Sequence, residues 1–414
     1  MKPYAWIPTL YFAEALPYMA VMTLSVIMYT RLGLTNTELA LYTSWLYLPW
    51  VIKPLWSPLV DYFRTKRWWI MAMQVLVGAA LAGVALTLPM SVWLQASLAF
   101  FWLMAFSSAT HDIAADGFYI ISLSQEDQAL YVGIRSTFYR VGSIFCQGIL
   151  VMVAGWLEVQ YGVTVGWSIT MLLMAALMIG LAGWHYVFLP SVEGTEIKGE
   201  KLKINNYIVQ PFVATVKAFC SKPHIWAAVL FMLLFRLPEA QLAKMAQPFM
   251  LRTIGEGGLE LSTATVGFAY GTLGVIGLLL GGIVGGWVVS RNGLRRWLWP
   301  MVLAISVPDL VYVYLAYAQP SNLWIINSCV FVEQLGYGFG FTAYMLFLVY
   351  FSRGERSTSV FALCTAFQAL GMMLPGMVAG RLADDWGFLH FFSFVCLCTL
   401  VTFFVSALIR RDLK

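Results

Sequence analysis

A chain of 414 residues that is 60% hydrophobic and 11% charged, with a mean hydropathy of +0.77, is not a soluble domain, where about a quarter of residues are charged. Its net charge of +5 reflects bases concentrated in the loops of one side, so it calls for no nucleic-acid partner. The six cysteines lack metal-ligand spacing and read as apolar fillers, and no motif asks for a metal or a cofactor.

Apolar runs recur at 4–30, 39–61, 68–90, 92–123, 131–157, 163–189, 224–250, 263–290, 297–318, 322–351, 358–380 and 386–409. About 20 residues cross the hydrocarbon layer as a helix. The expected fold is therefore all-α, with twelve transmembrane helices. The first run is too long for a removable leader and is interrupted by Glu14 and Pro17. With the N-terminus inside, inner loops carry Lys2, Arg64, Lys66, Arg67, the lysines of 198–222, Arg291, Arg295, Arg296, Arg353 and Arg356. Outer loops carry Arg31, Arg252 and Arg381. That bias places both termini in the cytoplasm.

Charges inside the spans come next. Each costs about 2.5–3.5 kcal/mol at mid-bilayer, so each faces a partner or a watery cavity. Helix 1 carries Glu14 before Pro17, and helix 2 carries Lys53. Helix 4 reads "SSATHDIAADGFY", with Asp112 and Asp116 on one face and His111 about 100° to the side. Counting back from the turn into helix 5 sets Arg135 level with Asp116 and Arg140 level with Asp112, so those two pairs are expected. Asp112, Arg140 and His111 are candidates for the transport path, and Asp116 with Arg135 for a structural clamp. Helix 7, "FRLPEAQLAKMAQPF", adds Arg236, Glu239 and Lys244 around Pro238 and Pro248, and such interrupted helices often mark transporter sites. Glu333 in helix 10 joins this set. Asp309 in helix 9 is assigned to a separate structural pair or a water.

The polar stretch 190–212 divides the chain into an expected bundle 1–190, a cytoplasmic linker 191–222 and a second bundle 223–414. The halves repeat. "SPLVDYFRTKRWW" at 57–69 matches "GWVVSRNGLRRWL" at 286–298, and Leu-Pro recurs at 16–17 and 237–238. Two parallel six-helix repeats with a shared midplane site are one plan of secondary transporters. These two loops resemble the loop signature of the major facilitator superfamily. The second copy keeps Gly286, Arg291, Gly293, Arg295 and Arg296 but has Ser290 for the acid; the first keeps Asp61, Lys66 and Arg67. The resemblance implies two pseudo-symmetric six-helix bundles, a gating role for these charges, and helices 1, 4, 7 and 10 around a central cavity.

"YFAEALPYMAV" in helix 1, the helix 4 motif, "RLPEAQLAKMAQPFM", "ATVGFAYGTLGVIG" and "ALGMMLPGMVAGRLADDWGF" together resemble the AmpG-like permease family, over essentially the whole chain. That resemblance implies a proton-coupled importer of muropeptides (GlcNAc-anhydroMurNAc peptides) from periplasm to cytoplasm, monomeric in the bacterial inner membrane and not an enzyme. Its partners would be a glycopeptide solute, protons and lipid. Arg140, Arg236 and Lys244 would meet solute carboxylates. The alternatives are a siderophore or an acyl-CoA or nucleotide-like anion as solute, a membrane sensor, or an acyltransferase suggested by the spacing from His111 to Asp116.

Overall fold

The computed structural model describes residues 3–191, 210–354 and 356–410, apart from the side chains of residues 61, 62, 129 and 211. These residues form helices joined by short turns, with no strand among those described. The spanning helices run α1 Pro3–Arg31, α2 in two pieces Asn36–Trp45 and Leu48–Tyr62, α3 Lys66–Thr87, α4 Trp93–Ser122 and α5 Gln125–Tyr161. They continue as α6 Val163–Phe188, α7 Ile225–Leu251, α8 Thr263–Asn292, α9 Leu294–Ala318 and α10 Leu323–Ser352. Ser357–Ile409 is bent at Gly387, where φ is +74°, a conformation that favours glycine. The part before that bend is α11 and the part after it α12, giving the twelve-helix architecture. Of the expected linker, 192–209 lie outside the described residues, and Gln210–Cys220 forms a short helix ahead of α7.

Helix boundaries follow local chemistry. α5 starts six residues before its apolar run because the Ser124 hydroxyl accepts the Asp127 amide at 3.1 Å, with Glu126 and Asp127 in the first turn. Thr35 and Glu38 form a capping box at the start of α2. α1, α5 and α8 contain wide π-helical turns at Ala20–Leu24, Phe145–Leu150 and Gly267–Gly274. The first two meet, since Thr23 Oγ1 donates to Gln147 Oε1 at 3.3 Å.

By contacts the chain divides into two compact units, Met1–Ser25 with Ile52–Pro211, and Val26–Val51 with Phe212–Lys414. In the first unit α3 packs against α4 and α6, and α1 packs against α5 and α4. Trp6 meets Phe118 edge to face at 5.2 Å within its buried core. In the second unit α10 packs against α8 and α9, and α7 packs against the Ser357–Ile409 rod. Helices in lipid gain little from hydrophobic burial against one another, so close packing of small residues holds them. A Cβ on Gly281 of α8 would lie 2.1 Å from the Leu335 carbonyl oxygen, which shows how nearly the two backbones touch. The first piece of α2 belongs to this unit and lies along α11, where Gly380 faces the Asn36 carbonyl.

Candidate functional site

Two clusters of charge, one in each unit, stand out among the described residues. In the first, Glu14 of α1 meets Asp112 and Asp116 of α4, and each offers a carboxylate oxygen within 4.8 Å of the others. Lys53, on the second piece of α2, ion-pairs with Asp112. Arg135 of α5 pairs with Asp116 at 2.5 Å and lies over the rings of Tyr11 and Tyr119, at 4.5 and 5.5 Å from their centroids. Two cations thus face three acids. The odd acid is Glu14, 8% exposed, whose Oε2 has no hydrogen-bond partner.

The Arg135–Asp116 pair matches the expectation; the Arg140–Asp112 pair does not form. Arg140 is half-buried and joins no ion pair among the described residues. Five residues separate the two arginines, which turns them about 140° apart on the helix, so both cannot face α4. Residue counting from the turn sets depth and leaves rotation open. Lys53 takes the vacant role because α2, with Pro54 inside its second piece, brings it to α4.

His111 turns from the acids. It hydrogen-bonds Gln74 at 3.0 Å; Gln74 contacts His185 at 2.9 Å, and His185 contacts the Thr9 hydroxyl at 3.0 Å. This chain satisfies buried polar atoms inside the first unit. His185, near the C-terminal end of α6, is fully buried in it.

The loop charges divide. Arg67 donates to the Tyr186 carbonyl at 2.6 Å and the Ser191 hydroxyl at 2.5 Å, meeting the negative end of the α6 dipole. Lys66 is buried, with its stem against Gly117 of α4. The Asp61 side chain lies outside the described residues. Arg291, Arg295 and Arg296 are exposed and join no ion pair among the described residues; Arg291 lies over the Trp287 ring at 4.3 Å.

In the second unit α7 bends at Phe235–Arg236 and restarts at Leu237, with Pro238 in its first turn. Arg236 donates to the Tyr337 hydroxyl and lies over the Phe341 ring at 4.7 Å. Lys244 donates to the Thr43 hydroxyl at 3.0 Å and faces the Tyr47 ring at 5.6 Å. Both cations are more than nine-tenths buried, and neither joins an ion pair among the described residues. Glu239, Asp309 and Glu333 are also buried and offer oxygens within 4.8 Å of one another. Gln334 Nε2 donates to both Glu333 oxygens at 3.0 and 3.3 Å, and to the Tyr270 hydroxyl at 3.3 Å.

Asp309 therefore joins Glu239 and Glu333, which corrects its assignment to a separate pair. The three-residue turn Val307–Asp309 at Pro308 reorients it. Sequence reasoning left Lys53 and Tyr337 without a role and placed Asp309 apart from the acids it joins. The available signal for Lys53 and Asp309 was simply an ionisable group inside a spanning helix. In the α7–α8 connection, hydrogen bonds from Thr253 to the Glu256 carboxylate hold that group below the usual glutamate range.

Comparison with known proteins agrees with this architecture. The D-xylose-proton symporter superposes with a TM-score of 0.71 over 97% of this chain and 95% of its own, at 10% identity. The nucleoside transporter NupG superposes with a TM-score of 0.70 over 99% of both chains, at 13% identity. Anhydromuropeptide permease of Escherichia coli (strain K12) is 27% identical over 353 residues, 83% of this chain and 67% of that protein. "Putative transporter AmpG 4" of Rickettsia conorii is 25% identical over 374 residues, 86% of this chain and 84% of that protein. The profile of the Major Facilitator Superfamily matches residues 9–376. Twelve helices, buried charge in both units and a family match over most of its length have one reading: this chain is a transporter that belongs to the major facilitator superfamily.

Proposed function

We propose that the protein imports muropeptides from periplasm to cytoplasm across a bacterial inner membrane, coupled to protons, by alternating access of the bundles 1–190 and 223–414. The observation that carries this reading is the state of Arg236 and Lys244. Two cations are buried on one helix, held by hydroxyls and aromatic faces and in no ion pair among the described residues. A buried charge without a counter-ion is costly, and an anionic solute would supply the missing carboxylates. About eight residues, or ~12 Å along the helix, separate them, a span that suits the lactyl and peptide carboxylates of a muropeptide. The similarity to anhydromuropeptide permease points to the same solute class.

The first unit supplies the proton step in this reading. Glu14 and Asp112 share their surroundings with Lys53, so a proton on either acid changes which one the lysine pairs with. Asp61, Lys66, Arg67, Arg291, Arg295 and Arg296 act as gate charges, with both termini cytoplasmic and the protein working as a monomer.

Counterflow in liposomes tests the proposal. Labelled anhydro-muropeptide should exchange, and an inward proton gradient should drive its accumulation. Arg236→Gln should weaken solute binding roughly tenfold or more, the cost of one charge-assisted hydrogen bond. Asp112→Asn should abolish gradient-driven accumulation while leaving exchange. Exchange of a siderophore or an acyl-CoA but not muropeptide would overturn the solute, and unchanged accumulation in Asp112→Asn would remove that residue from coupling.

A further inference from the structure

The two acid clusters differ in one respect. In the first, Lys53 and Arg135 already neutralise Asp112 and Asp116. In the second, Glu239, Asp309 and Glu333 join no ion pair among the described residues. Arg236, three residues before Glu239, is directed instead to Tyr337 and Phe341. All three acids are 5% exposed or less, and one Asp309 oxygen, Oδ1, has no hydrogen-bond partner. Three carboxylates at this spacing in lipid cannot all stay ionised unaided, so they hold either protons or a cation among them.

A second observation comes from outside the acids. Tyr312 sits three residues after Asp309 and is fully buried. Its hydroxyl is directed at the Glu333 carboxylate and yet makes no hydrogen bond of proper geometry. A buried phenol and an acid oxygen that both close no hydrogen bond leave two oxygens free to coordinate one cation.

We propose that Glu239, Asp309 and Glu333, with the Tyr312 hydroxyl, form a binding site for a hard metal cation of sodium or calcium size. Every pair of acid ligand atoms falls within 4.8 Å, the diameter of a shell whose oxygens stand ~2.4 Å from a central ion. Magnesium takes oxygens at ~2.1 Å, requires a near-ideal octahedron and keeps its waters, so this dry set of side chains suits it less. The cation would bind here whichever solute is carried. The site makes the second unit a place where an anion would meet Arg236 and Lys244 while a cation meets the acids.

Equilibrium dialysis of the purified full-length protein in detergent, at fixed pH, with radioactive sodium or calcium ion as probe, reads the site directly. Thermal melts in NaCl, CaCl2 and choline chloride at matched ionic strength accompany it. About one ion should bind per chain, and the same salt should raise Tm by several degrees over choline. Asp309→Asn and Glu333→Gln should each raise the half-saturating concentration at least tenfold, while the exposed Asp385→Asn leaves it unchanged. Tyr312→Phe removes a single hydroxyl and should weaken binding several-fold, so it locates the ion even where an acid variant fails to fold. Which salt acts distinguishes sodium from calcium. The proposal is overturned if neither ion binds the wild type, if stability follows only pH and no metal salt, or if binding survives all three substitutions unchanged. Muropeptide counterflow is a separate measurement, so either result can fail alone.

Discussion

At the scale of single residues the protein is governed by which buried charges have partners. Lys53 stands immediately before Pro54 inside the second piece of α2 and is the counter-ion of Asp112. Removing one member of a buried pair leaves the other uncompensated, at about 3–5 kcal/mol when burial is complete. Here the two side chains are 27% and 24% exposed, so solvent reduces this to about 1–3 kcal/mol. Lys53→Met should therefore lower Tm by several degrees. Adding Asp112→Asn should recover most of that loss, because no lone acid then remains. A double variant whose loss is the sum of the two singles would show the residues to be energetically independent.

At the scale of elements, helix ends and close backbone contacts set the geometry. The first piece of α2 begins at a capped turn, and Asp384 of α11 strengthens it. Its carboxylate accepts from the Thr37 amide and hydroxyl, both at 2.7 Å, and from Asn36 Nδ2 at 2.8 Å. A carboxylate at a helix N-terminus stabilises it by about 0.5–2 kcal/mol. Gly380, one turn earlier on α11, is needed for this approach, since a Cβ there would lie 1.8 Å from the Asn36 carbonyl oxygen. Asp384→Asn should speed hydrogen exchange at the Thr37 amide several-fold, and Gly380→Ala should spread that effect over residues 36–40. Protection unchanged from wild type in both variants would mean that the contact does not hold the helix. The π turns of α1, α5 and α8 belong to this scale too. Pro17 lies just before the first and glycines pervade the third, yet neither pattern by itself announces a widened turn.

At the scale of the whole molecule the internal repeat extends to the acids. Glu14 and Glu239 occupy the first helix of each half, and Asp112 and Glu333 the fourth. Two acids of the first group, Asp112 and Asp116, are paired with bases of α2 and α5, whereas the second group has none paired with it among the described residues. Similar acids have thus diverged in setting, in keeping with the proton step proposed for the first cluster and the metal ion proposed for the second. The distribution of basic loops predicts that Arg31 and Arg252 face the periplasm and Arg295 the cytoplasm. In a cysteine-free background, Arg31→Cys should react with an impermeant thiol reagent added to intact spheroplasts, and Arg295→Cys should react only after lysis. The reverse pattern would overturn the expected orientation in the membrane.

The residue order alone determined the spans, the long polar connection, the repeat and the Arg135–Asp116 pair. Each depends on quantities local to the chain: apolar length against bilayer thickness, and depth counted at ~1.5 Å per residue from a turn. The tertiary structure decided the rest. Lys53 rather than Arg140 meets Asp112, Asp309 joins Glu239 and Glu333, and residues 26–51 pack with the second unit. Those outcomes turn on how each helix is rotated and bent about its axis. Rotation and bending are set by contacts with distant helices, by proline breaks and by π turns, and a linear pattern of apolar residues carries almost no record of them.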